Sequence, residues 1–354
     1  MSFLRKSDIG DGIVGGTPPT AMDPHPAHKT SSFAIAVAFT SICLIWGSTY
    51  LAIRYAVETI PPLLMMGIRH LTAGGLLYSW ARFRGTTAPL RVHWKSAAIT
   101  GAFLFLGSHG SLAWAEQRVP SGLAALLSAT LPLWIVVLAR IKGERNLSWQ
   151  IIAGIVVGFL GVGILIGPSA FEANSSLSLL AAVGVLFGSF CWACGTIYSQ
   201  HAELPSSSML SSAMQMVCGG AVLLLIGLVS GEAGRLHLSA MSAKSTLSLA
   251  YLTVFGSIIA FTAFTWLHKV ASPTQNSTYA YVNPVVAVFL GWLLAREAIG
   301  GRTLLATVAI IASVALVSRK TQDVHASDGR LSADRSDEVD ASMNPSAVEL
   351  PVVD

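Results

Sequence analysis

The sequence predicts an all-α membrane protein with ten transmembrane helices, arranged as two inverted repeats of five helices each. Of its 354 residues, 53% are hydrophobic and 11% are charged, against about 25% charged residues in a typical soluble domain. Between Ser31 and Val317 the charges fall in short gaps. The apolar runs between these gaps are roughly 20 residues long, which is the length that crosses about 30 Å of hydrocarbon.

The charged gaps divide the chain into ten predicted helices. These cover residues 33–54, 62–81, 96–115, 122–140, 149–167, 178–200, 208–230, 247–267, 274–295 and 302–318. Five is an odd number, so the second set of five must cross the membrane in the opposite sense to the first. Residues 33–167 and 178–318 form the two repeats, whereas the polar tails 1–30 and 321–354 are predicted to be disordered.

The two halves repeat one pattern of apolar, proline-containing and charged segments. Aligning them brings Pro132 near Pro284 and Glu144 near Glu297. A membrane chain duplicated in this way is most often a transporter, because two halves that rock about a shared midplane site give alternating access.

The charge pattern predicts the orientation. With the N-terminus inside, the first half places nearly all of its Lys and Arg residues in cytoplasmic segments, apart from Arg118 and from Arg54 at a helix end. The second half partly opposes this bias, as expected when a repeat keeps its charges but inverts. We therefore expect both termini in the cytoplasm.

Four stretches of the chain resemble the drug/metabolite transporter superfamily. They are IWGSTYLAIRYAVETIPPLLMMGIRHLTAGG (45–75), WAEQRVPSGLAALLSATLPLW (114–134), VFGSIIAFTAFTWL (254–267) and STYAYVNPVVAVFLGWLLAREAI (277–299). The chain is similar to the ten-helix members with two EamA repeats, and within these to the YedA-type inner-membrane transporters. The resemblance covers nearly all of residues 33–318. It implies an inner-membrane exporter of small organic metabolites or drugs and leaves the substrate open.

Prolines at equivalent places predict hinges. Pro132 and Pro284 lie in apolar helices, where proline removes a helical hydrogen bond. In a membrane such a break survives where protein or water satisfies the freed carbonyl. Paired kinks are therefore expected to line a central cavity, although kinks buried against neighbouring helices are an alternative.

Polar and aromatic residues predict the lining of that cavity. The ninth predicted helix carries the densest polar stretch, from Thr274 to Asn283, and polar groups facing hydrocarbon are costly. Trp46 and Trp192 lie near mid-span, where an indole N–H needs a partner. Interhelical hydrogen bonding and core packing are the alternatives. The candidate cavity residues are Trp46, Ser48, Tyr50, His109, Thr130, Trp192, Tyr198, Ser257, Tyr279, Tyr281 and Asn283.

Titratable residues inside the spans predict a second feature. Arg69 lies about 10 Å from the outer end of its helix, and an intramembrane Arg usually has a partner. Glu116 matches it best by depth, with Glu297 as a second candidate. The pair is interpreted as a structural ion pair at the outer mouth, or alternatively as an outer gate or anion-attracting site. His109 leaves both facilitated flux and His-coupled antiport open.

Other functions receive little support from the sequence. The chain lacks a G-x-x-x-x-G-K-[ST] nucleotide loop and any readable catalytic arrangement, so we expect neither an ATP-driven engine nor an enzyme. We expect no cofactor, no metal and no nucleic-acid partner. The predicted partners are the lipid bilayer and a small-molecule substrate, with monomer or homodimer open. A lipid flippase or scramblase and an intramembrane sensor are the competing classes.

Overall fold

The computed structural model describes residues 32–141, 143, 149–166, 176–270 and 279–316. Within these residues the apolar runs form ten helices. They are α1 (Ser32–Ala56), α2 (Pro62–Phe83), α3 (91–115), α4 (Ser121–Ile141), α5 (Trp149–Ile166), α6 (Ser176–His201), α7 (Ser208–Val229), α8 (243–270), α9 (Tyr279–Ala295) and α10 (Gly301–Leu316). The predicted tails, 1–30 and 321–354, lie outside the described residues, as does Glu144.

The helices are those of a membrane protein. Six stretches of at least 18 residues are apolar enough to cross a bilayer: Phe33–Ala56, Ser121–Ile141, Trp149–Ile166, Leu179–His201, Ser208–Val229 and Ala243–Phe264. Val282–Ala295 and Gly301–Leu316 are shorter apolar helices. Large apolar side chains such as Leu160, Phe289 and Leu304 are exposed on the outside of the bundle, where lipid tails would cover them. The chain is thus the all-α membrane protein that its composition predicts.

The helices of each half pack mainly against helices of the other half. Helix α1 packs on α8 and α9, whereas α6, its equivalent in the second half, packs on α3 and α4. Equivalent helices also pack together: α2 packs on α7, α4 on α9, and α5 on α10. In addition α3 packs on α7, and α2 packs on α8. This is the pattern expected of an inverted duplication. It places the ends of α1 and α3 beside the starts of α2 and α4, at what we call the Glu116 end of the bundle.

Helices α3 and α8 share a feature that the sequence analysis missed. Each contains a π-helical middle, Ala102–Gly110 in α3 and Leu252–Ile259 in α8. π-Helical turns occur often at functional sites, because they redirect the side chains that follow them. The candidates His109 and Ser257 both belong to these segments.

Helices α2 and α7 approach each other closely through glycine. A Cβ atom at Gly74 would lie 2.8 Å from Met216 Cβ and 2.9 Å from the backbone oxygen of Ala213. A Cβ atom at Gly220 would lie 2.7 Å from the backbone nitrogen of Leu71. Small residues of this kind let membrane helices pack backbone to backbone. The contact holds the polar centre of α2 inside the bundle.

The two candidate hinges differ, which corrects the expectation of matched interior kinks. Helix α4 consists of Ser121–Ser128 and Leu131–Ile141, with a turn between them. Pro132 therefore lies in the first turn of the second segment, where a missing N–H costs little. Pro284 lies inside α9, as expected.

Candidate functional site

A cavity of about 150 Å³ lies between the two halves of the chain, lined by residues of α1, α2, α3, α4, α6, α7, α8 and α9. Cavities of this size in proteins hold a molecule about as large as benzene. Seven of the predicted residues line it: Trp46, Tyr50, His109, Trp192, Ser257, Tyr279 and Asn283. They come from both halves, so the cavity is a shared one.

Three predicted cavity residues do not line it. The Ser48 hydroxyl contacts the Ile45 carbonyl and the Tyr251 hydroxyl instead. Thr130 is buried and donates to the Leu127 carbonyl, and Tyr198 is not among the lining residues. Each lies on or beside its predicted helix, but the direction of its side chain was not correctly predicted. The side chain of Tyr281 lies outside the described ones, as do residues 274–278.

Arg69 is the charged group of the cavity. Its side chain lies on the cavity wall with 4% of the residue exposed, and its Nε donates to Ser257 Oγ at 2.9 Å. Nη1 contacts Met66 Sδ at 3.8 Å. Gly256 makes room for this arrangement, because a Cβ atom there would lie 3.1 Å from Nη2 of Arg69.

The predicted ion pair between Arg69 and Glu116 is wrong for this structure. Arg69 extends towards α8, and it takes part in none of the ion pairs among the described residues. Glu116 follows the end of α3, where both of its carboxyl oxygens are buried without a hydrogen bond. The second candidate partner, Glu297, pairs with Arg54. Depth alone suggested the pairing, but the two side chains leave their helices in different directions.

His109 belongs to a histidine pair that the sequence analysis did not foresee. His109 Nδ1 lies 2.9 Å from His70 Nε2, and the rings stack with centroids 5.0 Å apart. One proton joins the two nitrogens, so the tautomer of one ring determines that of the other. The other nitrogen of His70, Nδ1, is buried without a partner. Trp192 packs on the His109 ring at 5.2 Å.

Aromatic rings form a second wall of the cavity. Trp46 Nε1 donates to the Gly256 carbonyl at 3.1 Å, and its ring lies 5.4 Å from that of Tyr279. The side-chain amide of Asn283 faces the carbonyl oxygens of Tyr279 and Cys43 at 3.2 Å, so its nitrogen can satisfy both. This supplies the partner that a buried indole N–H and a buried amide each require.

The sequence did contain a signal for one residue that was missed. Gly107–Ser108 in α3 and Gly256–Ser257 in α8 are the same dipeptide, one in the middle of each π-helical segment. Ser108 lines the cavity, as Ser257 does. Aligning the halves through this pair would have identified it. Phe105, Ser189 and Phe261 also line the cavity, but no repeated dipeptide identifies them in the sequence, where they resemble ordinary core residues.

Glu297 ties the two halves together at the Glu116 end. It lies beyond α9, and its carboxylate accepts hydrogen bonds from Ser121 N at 2.7 Å, Ser121 Oγ at 2.9 Å and Gly122 N at 3.0 Å. Arg54 Nε lies 3.5 Å from the same carboxylate, and Arg54 Nη1 donates to the Val119 carbonyl at 2.6 Å. A carboxylate is favourable at the start of a helix, where N–H groups are unpaired.

Glu232 makes a second tie of the same kind. It follows α7, and its carboxylate accepts hydrogen bonds from the backbone nitrogens of Leu63 at 3.0 Å and Leu64 at 2.9 Å, in the first turn of α2. Arg235 lies 3.4 Å from it. Residues of the second half thus cap two helices of the first half, which holds the halves together at the Glu116 end.

Metal-ligand clusters are absent from the described part of the chain: no three or more His, Cys, Asp or Glu side chains are grouped to hold an ion. Cys43, Cys191, Cys194 and Cys218 are free thiols. The C-x-x-C of α6 is therefore not a disulfide in this structure.

Comparison with known proteins identifies the duplicated unit. Residues 33–167 and 179–319 each match the EamA-like transporter family. The chain is 38% identical over 285 residues to the inner membrane transporter YedA of Escherichia coli K12, covering 79% of this chain and 89% of that protein. It is 25% identical over 272 residues to the transporter YoaV of Bacillus subtilis 168, covering 75% and 90%. A crystal structure at 20% identity has the same fold, with a TM-score of 0.56 over 83% of this chain and 99% of that one.

Proposed function

Because the chain belongs to the EamA-like transporter family, we propose that it exports a small organic solute across the inner membrane by alternating access. The observation that carries the proposal is the cavity lined by both halves of a duplicated bundle. Its walls are aromatic and apolar with a few polar groups, which suits an organic solute. The name of YedA, an inner membrane transporter, supports the membrane assignment.

In the proposed mechanism, the Glu116 end opens when the carboxylates of Glu297 and Glu232 separate from the helix starts that they contact. Glu297 would leave Ser121 and Gly122, and Glu232 would leave the first turn of α2. The charge bias of the first half supports an orientation with the Glu116 end outside and both termini in the cytoplasm. On this orientation the structure corresponds to a state that is closed towards the outside.

The competing lipid-scrambling function has a weaker basis. A scramblase needs a polar path along a lipid-facing surface. The groove between α3 and α6 is instead lined by apolar residues such as Phe103, Leu106 and Phe187. The polar groups that the structure brings together face the cavity between the halves.

Metabolite profiling of the growth medium tests the proposal. Cells that overproduce the protein should release at least one solute in excess over cells with an empty vector. Trp46→Ala, which removes a cavity wall, should abolish the excess, whereas Trp292→Ala should preserve it because Trp292 is half exposed on the outer surface. Membrane levels of the three proteins are compared by immunoblot. Media that do not differ between wild type, both variants and empty vector would contradict export.

A further inference from the structure

We propose that the cavity binds a small organic anion with a single ring, whose anionic group contacts Arg69 and Ser257. This assignment of a substrate class rests on the proposed function. Three independent features carry it: a buried cation without a counter-ion, a free hydroxyl hydrogen beside it, and an aromatic wall of matching size.

No acidic side chain among the described residues forms an ion pair with Arg69. Arg69 is almost fully buried, takes part in none of the ion pairs that the described residues form, and uses Nε for its bond to Ser257. Nη2 makes no hydrogen bond to a described residue. A buried charge without a partner is costly. An anion in the cavity would supply both the counter-charge and the missing acceptor.

Ser257 provides a second donor at the same place. Its Oγ accepts the hydrogen of Arg69 Nε, so its own hydroxyl hydrogen stays available. No described residue accepts a hydrogen bond from this hydroxyl. Guanidinium and hydroxyl donors side by side match the two oxygens of a carboxylate, and hydrogen bonds to ionised acceptors are the strong ones.

The rest of the cavity suits one ring. Trp46, Phe261 and Tyr279 line it on one side, and the neighbouring rings of His109 and Trp192 line it on the other. Aromatic side chains favour offset or edge-on contact with another ring. A volume of about 150 Å³ suits a ligand with one ring of this size.

Three probes of equal size separate charge from shape. The full-length protein in detergent is titrated with benzoate, benzamide and benzylamine, and binding is followed by calorimetry and by thermal stability. We expect saturable binding of benzoate and at least thirtyfold weaker binding of the neutral and cationic probes, the size of effect known for a buried charge pair. Acetate, which lacks the ring, should also bind more weakly. Equal binding of benzoate and benzamide, or no binding of benzoate, would overturn the proposal.

Variants then locate the site. Arg69→Gln should lower benzoate affinity about thirtyfold or more, and Ser257→Ala should lower it by a smaller factor. Arg118→Gln is the matched control, because Arg118 is exposed between α3 and α4 and contacts Trp114 rather than the cavity. Unchanged benzoate affinity in Ser257→Ala would remove the serine from the site. If Arg69→Gln does not fold, the probe series on the wild type and Ser257→Ala still decide.

Flux measurements keep this inference separate from the transport proposal. Benzoate movement is measured in proteoliposomes that contain the wild-type protein. Arg69-dependent binding without movement across the membrane would retain the anion site and reject transport. Export of exclusively neutral or cationic solutes in the metabolite profile would retain transport and reject the anion site.

Discussion

Two glutamates at the Glu116 end have opposite surroundings. The carboxylate of Glu297 accepts hydrogen bonds from Ser121 and Gly122 and lies beside Arg54. The carboxyl group of Glu116 is buried more deeply, yet neither of its oxygens has a hydrogen-bond partner. Burying an ionised carboxyl group without partners is costly, whereas a carboxylate at a helix start is favourable.

This contrast predicts opposite effects of the same substitution. Glu116→Gln should leave the thermal stability of the purified protein unchanged or raise it, because an amide is cheaper to bury than an unpaired carboxylate. Glu297→Gln should lower stability by about 1–3 kcal/mol, because its amide nitrogen would face an N–H donor. Unfolding curves in one detergent measure both. Equal destabilisation by the two variants would contradict the contrast.

At the scale of single residues the sequence indicated depth but not direction. The depth of Arg69 followed from its place in an apolar run. Its partner did not, because neighbouring residues on a helix point about 100° apart and the rotation of each helix is set by packing. For the same reason, Ser48 and Tyr198 were wrongly predicted to line the cavity.

The contact between α2 and α7 depends on which glycine faces the neighbour. Gly74 and Gly75 are adjacent in α2, and both lack a side chain. A Cβ atom at Gly74 would meet backbone atoms of α7, whereas one at Gly75 would meet nothing within 4 Å. Backbone atoms cannot rotate out of the way as the end of a side chain can.

Substituting these two glycines by alanine should therefore have different results. Gly74→Ala should destabilise the protein, by about 1–3 kcal/mol as for other overpacked sites. Gly75→Ala should be neutral or slightly stabilising, since alanine favours helix by about 1 kcal/mol over glycine. Expression level and the unfolding temperature in detergent are the measurements. A loss of stability in Gly75→Ala as large as that in Gly74→Ala would contradict the packing described for α2.

At the scale of helices, sequence reasoning succeeded where apolar length decides. The ten runs located the ten helices, because a span must satisfy its own backbone hydrogen bonds in lipid. Sequence reasoning failed where packing between helices determines the local backbone conformation. The π-helical segments and the turn at Ala129 and Thr130 are local departures from α-helix. Such departures carry no composition signal of their own.

The whole molecule should have both termini in the cytoplasm. A reporter fused at Asp323 should score cytoplasmic, as should one near Arg91, because an even number of spans returns the chain to its starting side. A reporter near His237, between α7 and α8, should score periplasmic. Paired alkaline phosphatase and fluorescent protein fusions measure this. A periplasmic score at Asp323 would contradict the ten-span inverted arrangement.

For the whole molecule, the duplication predicted where a cavity would lie. Matched aromatic residues in two inverted halves meet near the centre, and Trp46 and Trp192 do line the same cavity. The interactions that close the Glu116 end were not predicted. Glu232 and Glu297 lie in gaps between helices, where the sequence marks polarity but not the helix start that each carboxylate contacts.

The contact between Glu232 and the start of α2 makes the two halves different in a way that prevents their exchange. Glu232 follows α7 and caps the start of α2, whereas the stretch that follows α2, from Arg84 to Ala115, contains no acidic residue. A protein assembled from two copies of the first half would bring Thr86, rather than a carboxylate, towards that helix start, because Thr86 lies three residues beyond α2 as Glu232 lies three residues beyond α7. A threonine hydroxyl carries no negative charge to complement the positive end of the helix dipole there. The ancestral duplication has therefore diverged beyond the point at which one half could serve in both positions.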